Sequence, residues 1–380
     1  MSSIDPVAFT RTLIQRRTVT GSCCRDFVKW FEDTLCQLGF SVSTVESGDL
    51  VHIAAAIGPI SSPLKLGFLG HYDTVPEGDG WRYAPLEGVE VDGIIYGRGA
   101  SDMKSGDAAM ISAAAELAAQ GLHVTVLLPG DEETLSQGMP ALLDTLPYRL
   151  DFCIGGEPTS KLELGDCLKI GRRGVLQGKV RLLGKAGHAA YADKNKNVID
   201  ALPLVIDTLG RGWNDQCHGV ETTLVVTNLS TDSTATNVIP GSVTLSFDAR
   251  FAPQRTADEI EAEINHRLQS TSMPYELVIS KRTNPYLSDT SPSGDPKQRA
   301  LVESAREAIR EATGKEPVLS CDGGTSDARF TAQRGVPTVE FGVPHGNMHG
   351  PDEFVAVRDV LLLQQVYVKI GERLARNLEK

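Results

Sequence analysis

Residues 64–73 read L-K-L-G-F-L-G-H-Y-D. The first part is a short apolar run with glycines around it, which predicts a buried strand. At its end stand His71 and Asp73. Side chains two apart on a strand share a face, so imidazole and carboxylate are expected side by side. A carboxylate there fixes the histidine tautomer and turns the other ring nitrogen toward a metal. The alternative for an H-x-D taken alone is a strand that ends in a polar turn, and the rest of the chain decides between the two.

The chain has 380 residues, 41% hydrophobic and 23% charged, enough for two domains with real cores. A net charge of −12 argues against nucleic acid or an anionic membrane as partner. It leaves a small anionic substrate open, because a few local arginines can hold one. The seven cysteines form no C-x-x-C pair, so no disulfide framework is expected and a reducing cytoplasm is the default. No signal peptide and no membrane span are expected.

Read outward, the chain alternates helices and strands. Helices are expected at 3–14, with Asp5-Pro6 at the start, and at 25–38, with Val28, Phe31, Leu35 and Leu38 as the buried stripe. Strands follow at 40–45 and 51–57. After the His71 strand, the segment Y-G-R-G-A-S-D-M-K-S-G leads into an alanine-rich helix at 107–120. Asp102 precedes that helix, either as a cap or as a carboxylate held among small residues close to a metal. A strand at 124–128 ends in Asp131-Glu132-Glu133, and one at 152–154 ends in Glu157. Three acids together repel unless something cationic sits among them; a solvated acidic turn is the other reading.

This alternation predicts an α/β domain with a mixed, largely parallel sheet and helices on both faces. Ligands gather at the carboxyl ends of such strands. From Val175 the order becomes β-α-β-β-α-β, which matches a small ferredoxin-like α+β unit inserted at 175–285. The flanking domain is then 1–174 and 286–380. It carries a helix at 296–313, a glycine-rich loop at 321–326, a strand at 338–342, the loop P-H-G-N-M-H-G-P-D-E with His349, and a last helix from Asp359.

His71, Asp102, Glu133, Glu157 and His349 make two histidines and three carboxylates, a set that suits a pair of zinc-like ions with one carboxylate bridging. Two ions roughly 3.5–4 Å apart can clamp a water and polarise a carbonyl. Glu132 is then left over to move a proton from that water to a leaving amine. Coincidence is the competing reading, since polar residues favour loops.

The blocks G-H-Y-D-T-V-P, Y-G-R-G-A-S-D-M-K, D-E-E, G-E-P-T-S, G-R-R-G, G-H-A-A-Y and G-G-T-S-D-A-R-F, with the late His349, resemble the dinuclear zinc amidohydrolases of the M20 metallopeptidase family. The resemblance runs over nearly the whole chain. It implies a zinc exopeptidase-like fold whose inserted domain serves as lid and homodimer interface. It also implies two zinc ions, one of them replaceable by cobalt. Asp102 would bridge them, His71 and Glu157 would complete one, and Glu133 and His349 the other. Asp73 would orient His71, Glu132 would be the general acid/base, and the Asp102–Met103 peptide would be cis. His188 would come from the partner subunit to stabilise the oxyanion.

The K-I-G-R-R-G block at 169–174 is like that of desuccinylases within the family. It implies hydrolysis of N-succinyl-L,L-2,6-diaminopimelate to succinate and L,L-diaminopimelate. Lys169, Arg172, Tyr191, Asn237, Arg250, Gly324 and Thr325 would bind this substrate, the arginine forks suiting carboxylates. Two departures bear on it: Ala192-Asp193 follows G-H-A-A-Y where relatives have proline and another residue, and His345 stands where desuccinylases carry asparagine. An acetylornithine deacetylase or related aminoacylase is the alternative. A binding protein of this fold without turnover is a third, disfavoured because Glu132 and all five ligand positions are present.

Overall fold

Asp5 opens the first helix, its carboxylate accepting from the backbone N–H groups of Val7 and Ala8 at 2.9 and 3.3 Å. The helix therefore runs Pro6–Ile14, shorter at its start than the sequence suggests. The computed structural model describes residues 4–192 and 197–378, so Asp193 lies outside them. The chain divides into two units. One comprises Met1–Ile170, Ser288–Ser320 and Ser326–Lys380; the other is Gly171–Leu287 with Cys321–Thr325. The second unit thus starts ahead of residue 175 and takes in the loop 321–325. That loop packs on it: a Cβ on Gly171 would lie 3.1 Å from the Cys321 sulfur.

The first unit holds an eight-stranded sheet. Its order across is Ser41–Ser47, Leu50–Ile57, His123–Leu128, Lys65–Leu69, Phe152–Gly155, Thr338–Glu340, Cys167–Lys169 and Val318–Ser320. The four strands from His123–Leu128 to Thr338–Glu340 are mutually parallel. Their carboxyl ends therefore open at one edge, where the loops carrying His71, Glu132, Glu133, Glu157 and His349 begin. Ser41–Ser47 is the antiparallel outer strand, and its mix of Ser, Thr and Glu with two part-buried valines suits a half-exposed edge.

Strand Lys65–Leu69 ends before His71, so His71 and Asp73 lie in the following loop and the shared-face argument does not apply to them. That loop still runs beside its neighbour, with Gly70 N–H donating to the Leu127 carbonyl and Tyr72 N–H to that of Pro129. The alanine-rich helix begins at Ser105 and ends at Ala119. It is buried on every side from Ser105 to Ala115. Alanine lets it pass between helices Pro6–Ile14 and Val357–Leu378 and the sheet. Three-residue strands at Val89–Val91, Ile94–Tyr96 and Phe354–Ala356 form a small separate sheet. They are too short to show a period in sequence.

The second unit has four antiparallel strands in the order Thr223–Thr231, Ser242–Phe251, Gly174–Leu183 and Tyr275–Thr283. With helices Leu202–Gly210 and Ala257–Ser270 this is the ferredoxin-like arrangement. A 3₁₀ turn, Val198–Ala201, leads into helix Leu202–Gly210. Helix Ala257–Ser270 is fixed at its start by a reciprocal Thr256/Glu259 capping box. One sheet face packs Leu176, Val180, Leu182, Leu245 and Phe247 against Val205, Ile260 and Ile264.

Candidate metal centre

His71 is fully buried, and its Nδ1–H donates to the main-chain carbonyl of Asp73 at 3.0 Å. The Asp73 carboxylate is farther from that nitrogen, at 3.5 Å. The tautomer is thus set mainly by a backbone carbonyl, which turns the lone pair of Nε2 toward the carboxylates. Nε2 lies 3.2 Å from Asp102 Oδ1 and 3.8 Å from Glu157 Oε1. The Asp73 carboxylate has a second task that the sequence did not reveal. Its two oxygens accept from the backbone N–H groups of Glu132 and Glu133, both at 3.2 Å. The acidic turn is pinned to the His71 loop in this way.

On the other side, His349 Nε2 lies 3.2 Å from Asp102 Oδ2 and 3.0 Å from Glu133 Oε1. Asp102 therefore shows one oxygen to each histidine, and the peptide that follows it is cis. Glu132 groups with His71 and Glu157, while Asp102, Glu133 and His349 form a second group. Asp131, the first acid of D-E-E, stands apart. Its carboxylate accepts from Gln137 and Gly138 N–H at 2.7 and 3.0 Å, a structural role at the start of helix Gly138–Thr145.

The electrostatics follow from packing four carboxylates, Asp102, Glu132, Glu133 and Glu157, around two imidazoles. Hydrogen bonds to Asp102 and Glu133 push the His349 pKa up to about 10. His71 is raised as well: burial opposes its charge, but Asp102, Asp73 and Glu157 outweigh it. Burial works against ionised Asp102, yet the two histidines hold its pKa below the usual carboxyl range. Burial, and then the charge of Glu157, push Glu132 well above that range. The cluster is short of positive charge, which two divalent cations would supply.

The spacing fits such ions. Two donors on one tetrahedral ion with bonds near 2.0–2.1 Å sit about 3.3–3.4 Å apart. The four cross-distances here are 3.0, 3.2, 3.2 and 3.8 Å. The residues that could hold two metals are thus His71, Asp102, Glu157, Glu133 and His349, with Glu132 beside them.

The other expected site residues are distributed between the units. Lys169 belongs to the first, buried at the end of its strand with Nζ 3.4 Å from Ser320 Oγ. Arg172, His188, Tyr191, Asn237, Arg250, Gly324 and Thr325 belong to the second. There Arg172 is buried, pairs with Tyr286 across two short strands, and lies against Gly323, whose φ of +92° and missing Cβ make room for the guanidinium. Arg250 grips Asp248 with two hydrogen bonds, of 2.6 and 3.1 Å. Burial, and then the charge of Arg250, depress the Arg173 pKa, and its buried Nε has no hydrogen-bond partner among the described residues. His188 is exposed, its Nδ1 accepting from Ala190 N–H at 3.1 Å, and its ring is 5.7 Å from that of Tyr191.

Comparison with known proteins places these features in a family. The profile described as peptidase family M20/M25/M40 matches residues 67–373. A curated succinyl-diaminopimelate desuccinylase from Magnetococcus marinus is 36% identical over 388 aligned residues, covering 98% of this chain and 98% of its own. Among solved structures, a tripeptidase from Staphylococcus aureus superposes with a TM-score of 0.78 at 20% identity, over 99% of each chain. A Bacillus subtilis protein described as a dinuclear metal binding peptidase from the M20 family gives 0.70 at 15% identity, over 98% of each chain. The last two likenesses show the fold.

Proposed function

This chain belongs to peptidase family M20/M25/M40, and from that premise we propose that it hydrolyses the amide of N-succinyl-L,L-2,6-diaminopimelate, giving succinate and L,L-diaminopimelate. What supports the chemistry most is Asp102, one oxygen 3.2 Å from each of two histidines, with the spare carboxylate of Glu132 alongside. What supports the substrate is the name borne by relatives that match the chain end to end.

We assign His71 and Glu157 to one ion, Glu133 and His349 to the other, and Asp102 to both. The N/O donor set suits zinc, with cobalt able to replace one ion. When bound, the metals would acidify a shared water and polarise the scissile carbonyl. Glu132 takes the proton from that water on a carboxylate oxygen and gives it to the departing amine. Asp73 keeps Glu132 and Glu133 in register by accepting from both backbones. His188, from the partner subunit of a homodimer, donates to the developing oxyanion. Exposed Val225, Leu229 and Val278 on the outer strands of the second unit support burial of its sheet against another copy. Lys169, Arg172 and Arg250 bind substrate carboxylates, and Tyr191, Asn237, Gly324 and Thr325 complete the pocket. The Arg173 and Arg250 charges repel, and a bound carboxylate relieves that repulsion. Among the described residues no helix is long and apolar enough to cross a membrane. None of the seven cysteines, all among the described residues, is in a disulfide, which supports a cytoplasmic setting.

The test is succinate release against acetate release by zinc-restored protein. Faster turnover of N-acetylornithine would replace the succinyl reading with the deacetylase one. Arg172→Ala separates them further. Losing a charged hydrogen bond to the distal carboxylate costs roughly 1.5–3 kcal/mol in kcat/KM for a succinyl substrate, and an acetyl substrate has no such group to lose.

A further inference from the structure

We propose that Glu353, with Arg98, is a positioning pair that locks the bridging carboxylate and the last histidine of the metal centre into one frame; this rests on the assignment of the centre made above. Glu353 is buried and receives five hydrogen bonds on its two oxygens. Oε1 accepts from the backbone N–H groups of Ser101 and Asp102, both at 3.0 Å, and from the Ser101 hydroxyl at 3.1 Å. Oε2 accepts from Gly99 N–H at 3.1 Å and from Arg98 Nη1 at 2.6 Å. One carboxylate therefore sets the backbone on which Asp102 is mounted. Arg98, also buried, turns Nη2 to the carbonyls of Pro76, Glu77 and His349 at 3.2, 3.1 and 3.3 Å.

His349 needs such a hold. Its φ is +63°, in the left-handed region that side-chain-bearing residues avoid, and Asn347 and Asp352 in the same loop have φ of +59° and +53°. A backbone like this persists where its surroundings over-determine it. The surroundings here are Arg98 on the His349 carbonyl, Gly97 N–H on the Glu353 carbonyl at 2.9 Å, and Phe354 N–H on the Gly346 carbonyl at 2.8 Å. At Gly346 a Cβ would lie 1.9 Å from the Phe354 carbonyl oxygen, so the loop closes on a residue without one. Two of the three ligands in the Asp102, Glu133, His349 group thus hang on the Glu353–Arg98 pair. In the other group, His71 is held by Asp73.

The consequence is selective. Metal-stripped wild type, Glu353→Gln, Arg98→Lys and Ser101→Ala would be titrated with zinc against a chromophoric chelator. Circular dichroism and melting of the apo forms would check the fold. Wild type should take up two ions. Glu353→Gln puts an amide donor where only acceptors fit. It and Arg98→Lys should weaken the ion assigned to Glu133 and His349, two of whose three ligands hang on the pair, by roughly 10–100-fold, as loss of a ligand's outer partner does, and the ion that shares only Asp102 by less. Ser101→Ala should move the same ion less. If Glu353→Gln does not fold, the other two variants decide. Variants that hold both ions at wild-type affinity would overturn the proposal, and so would variants that weaken both ions equally. Wild type that binds fewer than two ions would remove the parent assignment, and this inference with it.

Discussion

At Asp73 one residue serves two neighbours: its main-chain carbonyl orients His71, while its carboxylate holds the turn that carries Glu132 and Glu133. The spacing of His71 and Asp73 marked both residues in the sequence. It did not show which atom meets the imidazole, because the strand stops at Leu69 and the loop's own path sets the contact. A second buried acid, Asp327, went unremarked. Burial raises its pKa to about 6, and Arg329, with Nη1 at 3.5 Å, only partly offsets this. A carboxyl whose folded pKa exceeds its unfolded value binds more protons when folded, so its contribution to stability is present below about pH 4 and is lost as pH rises through about 6. Asp327→Asn removes that titration. In metal-free protein the variant should gain about 1–3 kcal/mol relative to wild type between pH 4.5 and pH 7.5. Urea unfolding at both pH values checks this, and parallel pH slopes for the two proteins would refute it.

At the scale of elements, the helix Ser105–Ala119 and the loop bearing Glu157 approach so closely that a Cβ on Gly106 would lie 2.7 Å from the Gly156 carbonyl oxygen. Both partners are backbone, so neither yields without moving a ligand. Gly106→Ala should destabilise the protein by about 1–3 kcal/mol, the usual cost of overpacking, and lower zinc uptake as well. Chelator competition and thermal melting measure the two effects; a loss of stability with unchanged uptake would uncouple the helix from the centre. The alanine content of this helix was legible. Its closeness to Gly156 was not, since the two lie some fifty positions apart and no local pattern reports such a distance. The three-residue strands around Glu353 were missed for a related reason: a period needs more turns of the pattern than three residues contain.

At the scale of the whole molecule, the proposal that His188 acts across a homodimer has a direct test. Glu132→Gln and His188→Ala should each be nearly inactive alone. If His188 serves the partner's centre, unfolding and refolding the two variants together makes hybrids with one centre that has both groups intact. Random pairing then restores activity to about a quarter of wild type. No recovery in a sample shown to contain hybrids would place His188 in its own subunit's centre.

The sequence by itself determined the α/β alternation, the inserted β-α-β-β-α-β unit and the identity of the acids and histidines at the strand ends, because period, capping and strand-end chemistry are local properties of the chain. Tertiary structure alone decided that Asp102 turns one oxygen to each histidine, that a backbone carbonyl fixes the His71 tautomer, and that Glu353 and Arg98 tie residues near 100 to residues near 350. Those are contacts between segments far apart along the chain, and their geometry is set by how the sheet and its loops pack, which spacing in the sequence does not encode.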